Sequence, residues 1–110
     1  MLAVTAPAEA QERAPAARQS LVDLSYVLGE SHALRRACVT PDDLYWYARM
    51  QQLIDVEGPD QGLKRRLVQS FNTGFAAGQA GFPACDAKAQ AEAAHAAQRG
   101  RNLAAALAEP

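Results

Sequence analysis

The sequence predicts a small all-α domain, a four-helix bundle closed by one disulfide and preceded by a disordered N-terminal tail. Three observations carry that prediction. From Ser20 onward, apolar residues recur at alternating three- and four-residue steps. Strand-like alternation is missing and β-branched residues are sparse. Helix-breaking or helix-starting pairs, Thr40-Pro41, Gly58-Pro59 and Phe82-Pro83, fall between the periodic stretches. A chain of 110 residues holds one domain, here read as residues 20–108 behind a leader at 1–19.

The leader, MLAVTAPAEAQERAPAARQ, is rich in Ala and Pro and has no packing pattern. Ala8-Glu9-Ala10 before Gln11 has the form of a signal-peptidase site, with small residues at its first and third positions. A complete signal also carries a basic start and an apolar run of about 7–15 residues. Neither is in these residues, so they read as the remnant of a signal that starts further upstream. The other reading is an Ala/Pro-rich leader alone.

The first helix is expected near residues 19–37. Leu24, Val27, Leu34 and Cys38, with the small Ser31 between them, make one apolar stripe. Ser20 is the expected N-cap, Asp23 lies in the first turn, and Arg35 and Arg36 complement the dipole in the last. A second helix is expected to open with Thr40 as cap, Pro41 at its first position and Asp42 and Asp43 in its first turn. Its apolar face runs through Tyr47, Met50 and Ile54, widened by Trp46 and Leu53, and Gly58-Pro59 ends it.

Pro59 is expected to open a third helix, with Asp60 in its first turn, whose stripe is Leu63, Leu67, Phe71, Phe75, Gly78 and Phe82. Gly74, Gly78 and Gly81 lie on or beside that stripe, and each costs a helix roughly 1 kcal/mol against alanine. Close approach of a neighbouring helix is the expected offset. Asp86 caps a fourth helix in which nearly half the residues are alanine. With only Leu103 and Leu107 as large apolar residues, it is expected to pack through its first turns and fray beyond Gly100.

Charge and length exclude some functions. With 11 basic and 12 acidic residues the net charge is −1, which leaves no electrostatic footprint for nucleic acid or an anionic membrane surface. No run of apolar residues is long enough for a membrane span. The two cysteines, Cys38 and Cys85, are too far apart for a Cys-x-x-Cys redox motif, and with two distant histidines they make a poor zinc site. A compact bundle brings the two helix ends together, so an exported chain is expected to bridge them. In a reducing compartment they read instead as two separate buried thiols.

The run Leu21-Val22-Asp23-Leu24-Ser25-Tyr26-Val27-Leu28-Gly29-Glu30-Ser31-His32-Ala33-Leu34-Arg35-Arg36-Ala37-Cys38 resembles the hallmark of a small, uncharacterised family of exported alphaproteobacterial proteins. Tyr45-Trp46-Tyr47-Ala48-Arg49-Met50, the stretch Arg65 to Phe75, and Pro83-Ala84-Cys85 extend the similarity across residues 20 to about 100. The resemblance implies an export signal and a periplasmic home. It implies no activity, since the function of that family is unknown.

Candidate chemistry is sparse. Glu30-Ser31-His32 offers a carboxylate, a hydroxyl and an imidazole, but residues one and two apart on a helix do not face each other. The plain reading is a polar face with Ser31 allowing close packing; the functional one has Glu30 or His32 touching a partner. Asp42 and Asp43 resemble the paired acids of glycoside chemistry, although a first helical turn already accounts for them. His95 reads as solvent-exposed, and Lys64, Arg65 and Arg66 as a solvated edge. Successive helical residues point about 100° apart, so Tyr45, Trp46 and Tyr47 cannot share one core. Tyr45 is expected at the surface, where Arg49 makes it an aromatic–cation patch.

The expectation is therefore a non-enzymatic periplasmic module, a monomer or weak homo-oligomer, that binds or supports a protein of the cell envelope. Its candidate partner-binding residues are Glu30, His32, Tyr45 and Arg49, with no catalytic residue, cofactor or metal assigned. The alternative is a small envelope enzyme acting on cell-wall glycan through Glu30 with His32 or through Asp42 and Asp43. A weaker option is metal or small-ligand binding through His32.

Overall fold

The computed structural model describes residues 13–108, and these form four helices and no strand: α1 (Pro15–Cys38), α2 (Tyr45–Glu57), α3 (Gln61–Gly81) and α4 (Ala87–Ala108). The expectations placed on residues 1–12 lie outside the described residues. The helices are not equal partners. The other three pack mainly on α1, α3 most extensively, rather than on one another. Every residue from Val27 to Leu34 is buried, so the middle of α1 presents no exposed face, as expected of a helix packed among others. One apolar stripe understates this: the remaining faces are closed by the small residues Gly29, Ser31 and Ala33.

The glycines explain how α3 comes so close. A Cβ on Gly29 would overlap the Phe71 carbonyl, one on Gly74 would overlap the Tyr26 carbonyl, and one on Gly78 would lie 2.8 Å from the Ala33 Cβ. Two helix backbones therefore touch along a shared strip of glycine and alanine, the expected offset for glycine inside a helix. Gly81 has open space around it and takes no part. Ser70 adds a tie between the same helices, donating from its hydroxyl to the Val22 carbonyl at 2.7 Å. Below this strip, Leu21, Leu63 and Leu67 are fully buried with Met50 and Phe71, each worth about 1.5–3 kcal/mol relative to exposure.

Several helix ends differ from the sequence expectation. α1 begins at Pro15, with Ala14 extended and no side-chain cap, because proline at the first position is pre-set for a helix. Residues 15–19 are thus helix and not tail. Ser20 lies inside the helix, where its hydroxyl donates back to the Ala16 carbonyl at 3.2 Å. Arg13 ties the start of α1 to the ends of α2 and α4 by a bidentate pair with Glu57 at 2.8 and 3.2 Å and a bond to the Leu107 carbonyl.

Thr40 and Pro41 make a turn, closed by Asp43 N–H donating to the Thr40 carbonyl at 3.0 Å, and α2 starts only at Tyr45. The reason is Asp43: Arg35 grips its carboxylate at 2.8 and 2.9 Å, and Asp43 in turn accepts from the Tyr45 N–H. Gly58 ends α2 in the left-handed conformation at φ 55°, and Asp60 caps α3 by accepting from Leu63 N–H at 2.8 Å. Asp86 caps α4 in the same way through Ala89. α4 does not fray at Gly100; Leu103 and Leu107 pack against the core and hold its last turns.

Cys38, the last residue of α1, is bridged to Cys85, just before α4, with Cα atoms 4.9 Å apart. The staple fixes the end of the central helix to the entry of the outermost one.

Candidate functional site

The four candidate partner-binding residues separate into two pairs. Glu30 and His32 are both in the enclosed part of α1, 8 % and 5 % exposed, and they point to different neighbours. Glu30 meets Arg99 of α4 in an ion pair, and Arg99 also reaches Glu92 at 3.2 Å. Burial, and then the neighbouring Glu92, push the Glu30 carboxyl above the usual carboxylate range against the pull of Arg99.

His32 faces the opposite way, into an aromatic box. Its ring centroid lies 5.1 Å from Phe75, 5.8 Å from Phe71 and 6.0 Å from Tyr47. Its Nδ1 has no hydrogen-bond partner among the described residues. Burial, with Arg36 nearby, lowers its pKa, and Asp43 opposes this more weakly. The imidazole is thus held toward its neutral form. Of the paired acids, Asp43 is gripped by Arg35, whose hydrogen bond holds that carboxyl below its ordinary range, while Asp42 is exposed in the turn. Glu30, His32 and Asp43 are each engaged by a different neighbour and do not converge on one cleft. Among the described residues no group of three or more His, Cys, Asp or Glu is arranged to hold a metal ion.

Tyr45 and Arg49 do come together, at the surface. Tyr45 is 46 % exposed. The Arg49 guanidinium stands 5.6 Å from its ring centroid and that of Arg35 4.9 Å, while Trp46 meets it edge-on at 4.8 Å. Arg35 was assigned to the dipole of α1; its role in framing Tyr45 follows from the turn at Thr40, which folds α2 back beside it.

The larger feature lies next to this patch. α2 and α4 both lie on α1 without closing on each other, and a groove of about 540 Å³ remains between them. Leu24, Val27, Leu28 and Ser31 of α1 make its floor. One wall is Arg49, Gln52, Leu53 and Val56 of α2, with Trp46 at its end; the other is Ala97, Gly100, Arg101 and Ala104 of α4. All three sets share one spacing, i, i+3, i+4, i+7, the stripe of a helix facing a neighbour. The groove stays open because the α4 wall is built from alanine and glycine. Val56, 65 % exposed, lies on its edge. The sequence reading missed Val56 and Arg101; the signal for both was the spacing they share with the other two stripes.

Among the described residues no helix is long and apolar enough to cross a membrane. A family model described as a protein of unknown function, DUF2385, matches residues 17–110. No curated protein and no solved structure matches the chain.

Proposed function

We propose that this chain, which belongs to the DUF2385 family, is an exported, non-enzymatic binding module that engages a protein of the cell envelope through its α2 face. The observation that carries this reading is the exposed aromatic–arginine cluster of Tyr45, Arg35 and Arg49. Tyrosine, tryptophan and arginine are enriched among the few residues that carry most of the binding energy at protein interfaces, and the aromatic ring offers large area with little conformational entropy to lose. Leu44, next to Tyr45 in the chain, is also exposed. The Cys38–Cys85 bridge supports export, since structural disulfides persist in oxidising compartments.

Glu30 and His32 enter this reading as scaffold. Glu30 ties α1 to α4 and His32 fills the space between α1, α2 and α3. The test is affinity capture from solubilised envelope fractions, with wild type compared against Tyr45→Ala. A partner retained by wild type and lost in the variant supports the reading. Absence of a specific partner, or one indifferent to Tyr45, contradicts it. Fractionation of cells expressing the native gene tests export separately, with the mature protein expected in the periplasm.

A further inference from the structure

The groove between α2 and α4 has a chemistry that the Tyr45 patch does not explain. Its volume, about 540 Å³, lies within the range of roughly 300–1,000 Å³ typical of small-ligand sites. Leucine, valine, alanine and a tryptophan supply most of the lining, with Ser31, Gln52 and Gly100 among them, and among the described residues no carboxylate contributes to it. Its cations are Arg49 on the α2 wall and Arg101 on the α4 wall.

These two arginines are held only by neutral groups. Arg49 donates to the Gln52 amide oxygen at 3.3 Å and Arg101 to that of Gln98 at 2.8 Å. Neither forms an ion pair among the described residues, whereas Arg13, Arg18, Arg35 and Arg99 all do. Arg36, Arg65 and Arg66 also lack a carboxylate partner among the described residues, but none of them borders this groove. A long apolar trough with an unmatched guanidinium on each wall calls for an occupant with an apolar body and one negative end.

We propose that the groove binds a single-chain anionic amphiphile, an acyl carboxylate of the fatty-acid type. The tail lies on Leu24, Val27 and Leu28 of α1, and the carboxylate is held between Arg49 and Arg101. A neutral apolar guest would leave both guanidinium groups without a partner of opposite charge. A hydrophilic anion would leave the trough wet. This site goes beyond the partner-binding reading and does not depend on it, although Arg49 borders both surfaces.

Trp46, the only tryptophan in the chain, lines the groove and reports on it directly. The experiment is a titration of the purified full chain with dodecanoate, kept below its micelle-forming concentration, followed by Trp46 emission. A saturable change at one ligand per chain is expected, with methyl dodecanoate binding at least about tenfold more weakly because it lacks the charge. The double variant Arg49→Gln/Arg101→Gln should lose about tenfold in affinity. Ala104→Phe, at an exposed position on the α4 wall, should block binding while far-ultraviolet circular dichroism and Tm stay at wild-type values. A wild-type protein that shows no saturable response overturns the proposal. So does equal binding of the methyl ester, or an Ala104→Phe variant that binds normally. If an acidic amphipathic peptide binds and dodecanoate does not, the groove belongs to a protein partner. Because the titration uses purified protein alone, its failure leaves the envelope-capture result standing, and the converse holds too.

Discussion

Replacing Gly74 by alanine should destabilise this domain, although alanine is the better helix former. The added methyl would overlap the Tyr26 carbonyl oxygen and sit 2.9 Å from its carbon and 3.1 Å from the Glu30 nitrogen. These are backbone atoms of the central helix, so no side chain can rotate away. Relief requires α1 and α3 to separate. Overpacking a close-fitted interior costs about 1–3 kcal/mol, and a backbone clash belongs at the upper end. Alanine returns about 1 kcal/mol through helix propensity, which leaves a net loss of about 1–2 kcal/mol. Gly81→Ala is the matched control: a Cβ there meets nothing within 4 Å, so only the propensity gain remains, about 0.5 kcal/mol at a helix end. Urea unfolding followed by circular dichroism at neutral pH, with the disulfide intact, measures both. The two variants should shift the midpoint in opposite directions. If Gly74→Ala is as stable as wild type, α1 and α3 do not meet backbone to backbone as described here.

Two further perturbations test separate parts of the fold. Replacing both cysteines (Cys38→Ser/Cys85→Ser) opens a loop spanning 47 residues and should cost about 4 kcal/mol on the chain-entropy account; a loss below about 1 kcal/mol in the same unfolding assay would refute that role. Acidification tests His32. Its folded pKa is lowered by burial, so the unfolded chain takes up a proton that the folded chain resists, and stability falls as pH drops through about 6.5 toward the folded value. His32→Leu keeps the box filled and should flatten the pH dependence of unfolding between pH 7.5 and 5.5 relative to wild type. An unchanged difference between the two pH values would place the imidazole in water.

Much of this architecture was legible in the residues. The left-handed end at Gly58, the cap at Asp86, and the glycine approach at Gly74 and Gly78 each follow from local chemistry, whereas Asp60, expected inside the first turn of α3 behind Pro59, is its cap and the helix begins at Gln61. The start of α2 was misplaced because Thr40-Pro41 is equally good at opening a turn, and a long-range pair settled the choice: Arg35 claims Asp43. The start of α1 was missed for a similar reason. Arg13 and Arg18 reach Glu57 and Asp60, more than forty residues away, and no local pattern announces such partners. Among the candidate site residues, Tyr45 and Arg49 could be placed at the surface from angular spacing alone. The burial of Glu30 and His32 could not, since it depends on α1 being wrapped by three helices instead of presenting one face. The groove is subtler still. Its three stripes are each visible in the sequence, but only the fold sets them around a common space.

The central proposal for the α1–α2–α4 groove is that it binds an anionic amphiphile, separately from the partner surface proposed at Tyr45. A nitrogen-15 correlation NMR titration of the purified chain with dodecanoate tests it most directly. The account predicts saturable shifts at Leu24, Val27, Leu53, Ala97, Gly100 and Ala104 and at the Trp46 indole, the residues that line the groove. The exposed face of α3 around Lys64 and Val68 should stay silent. Shifts centred on that α3 face, or no saturable shifts at any position, would contradict it.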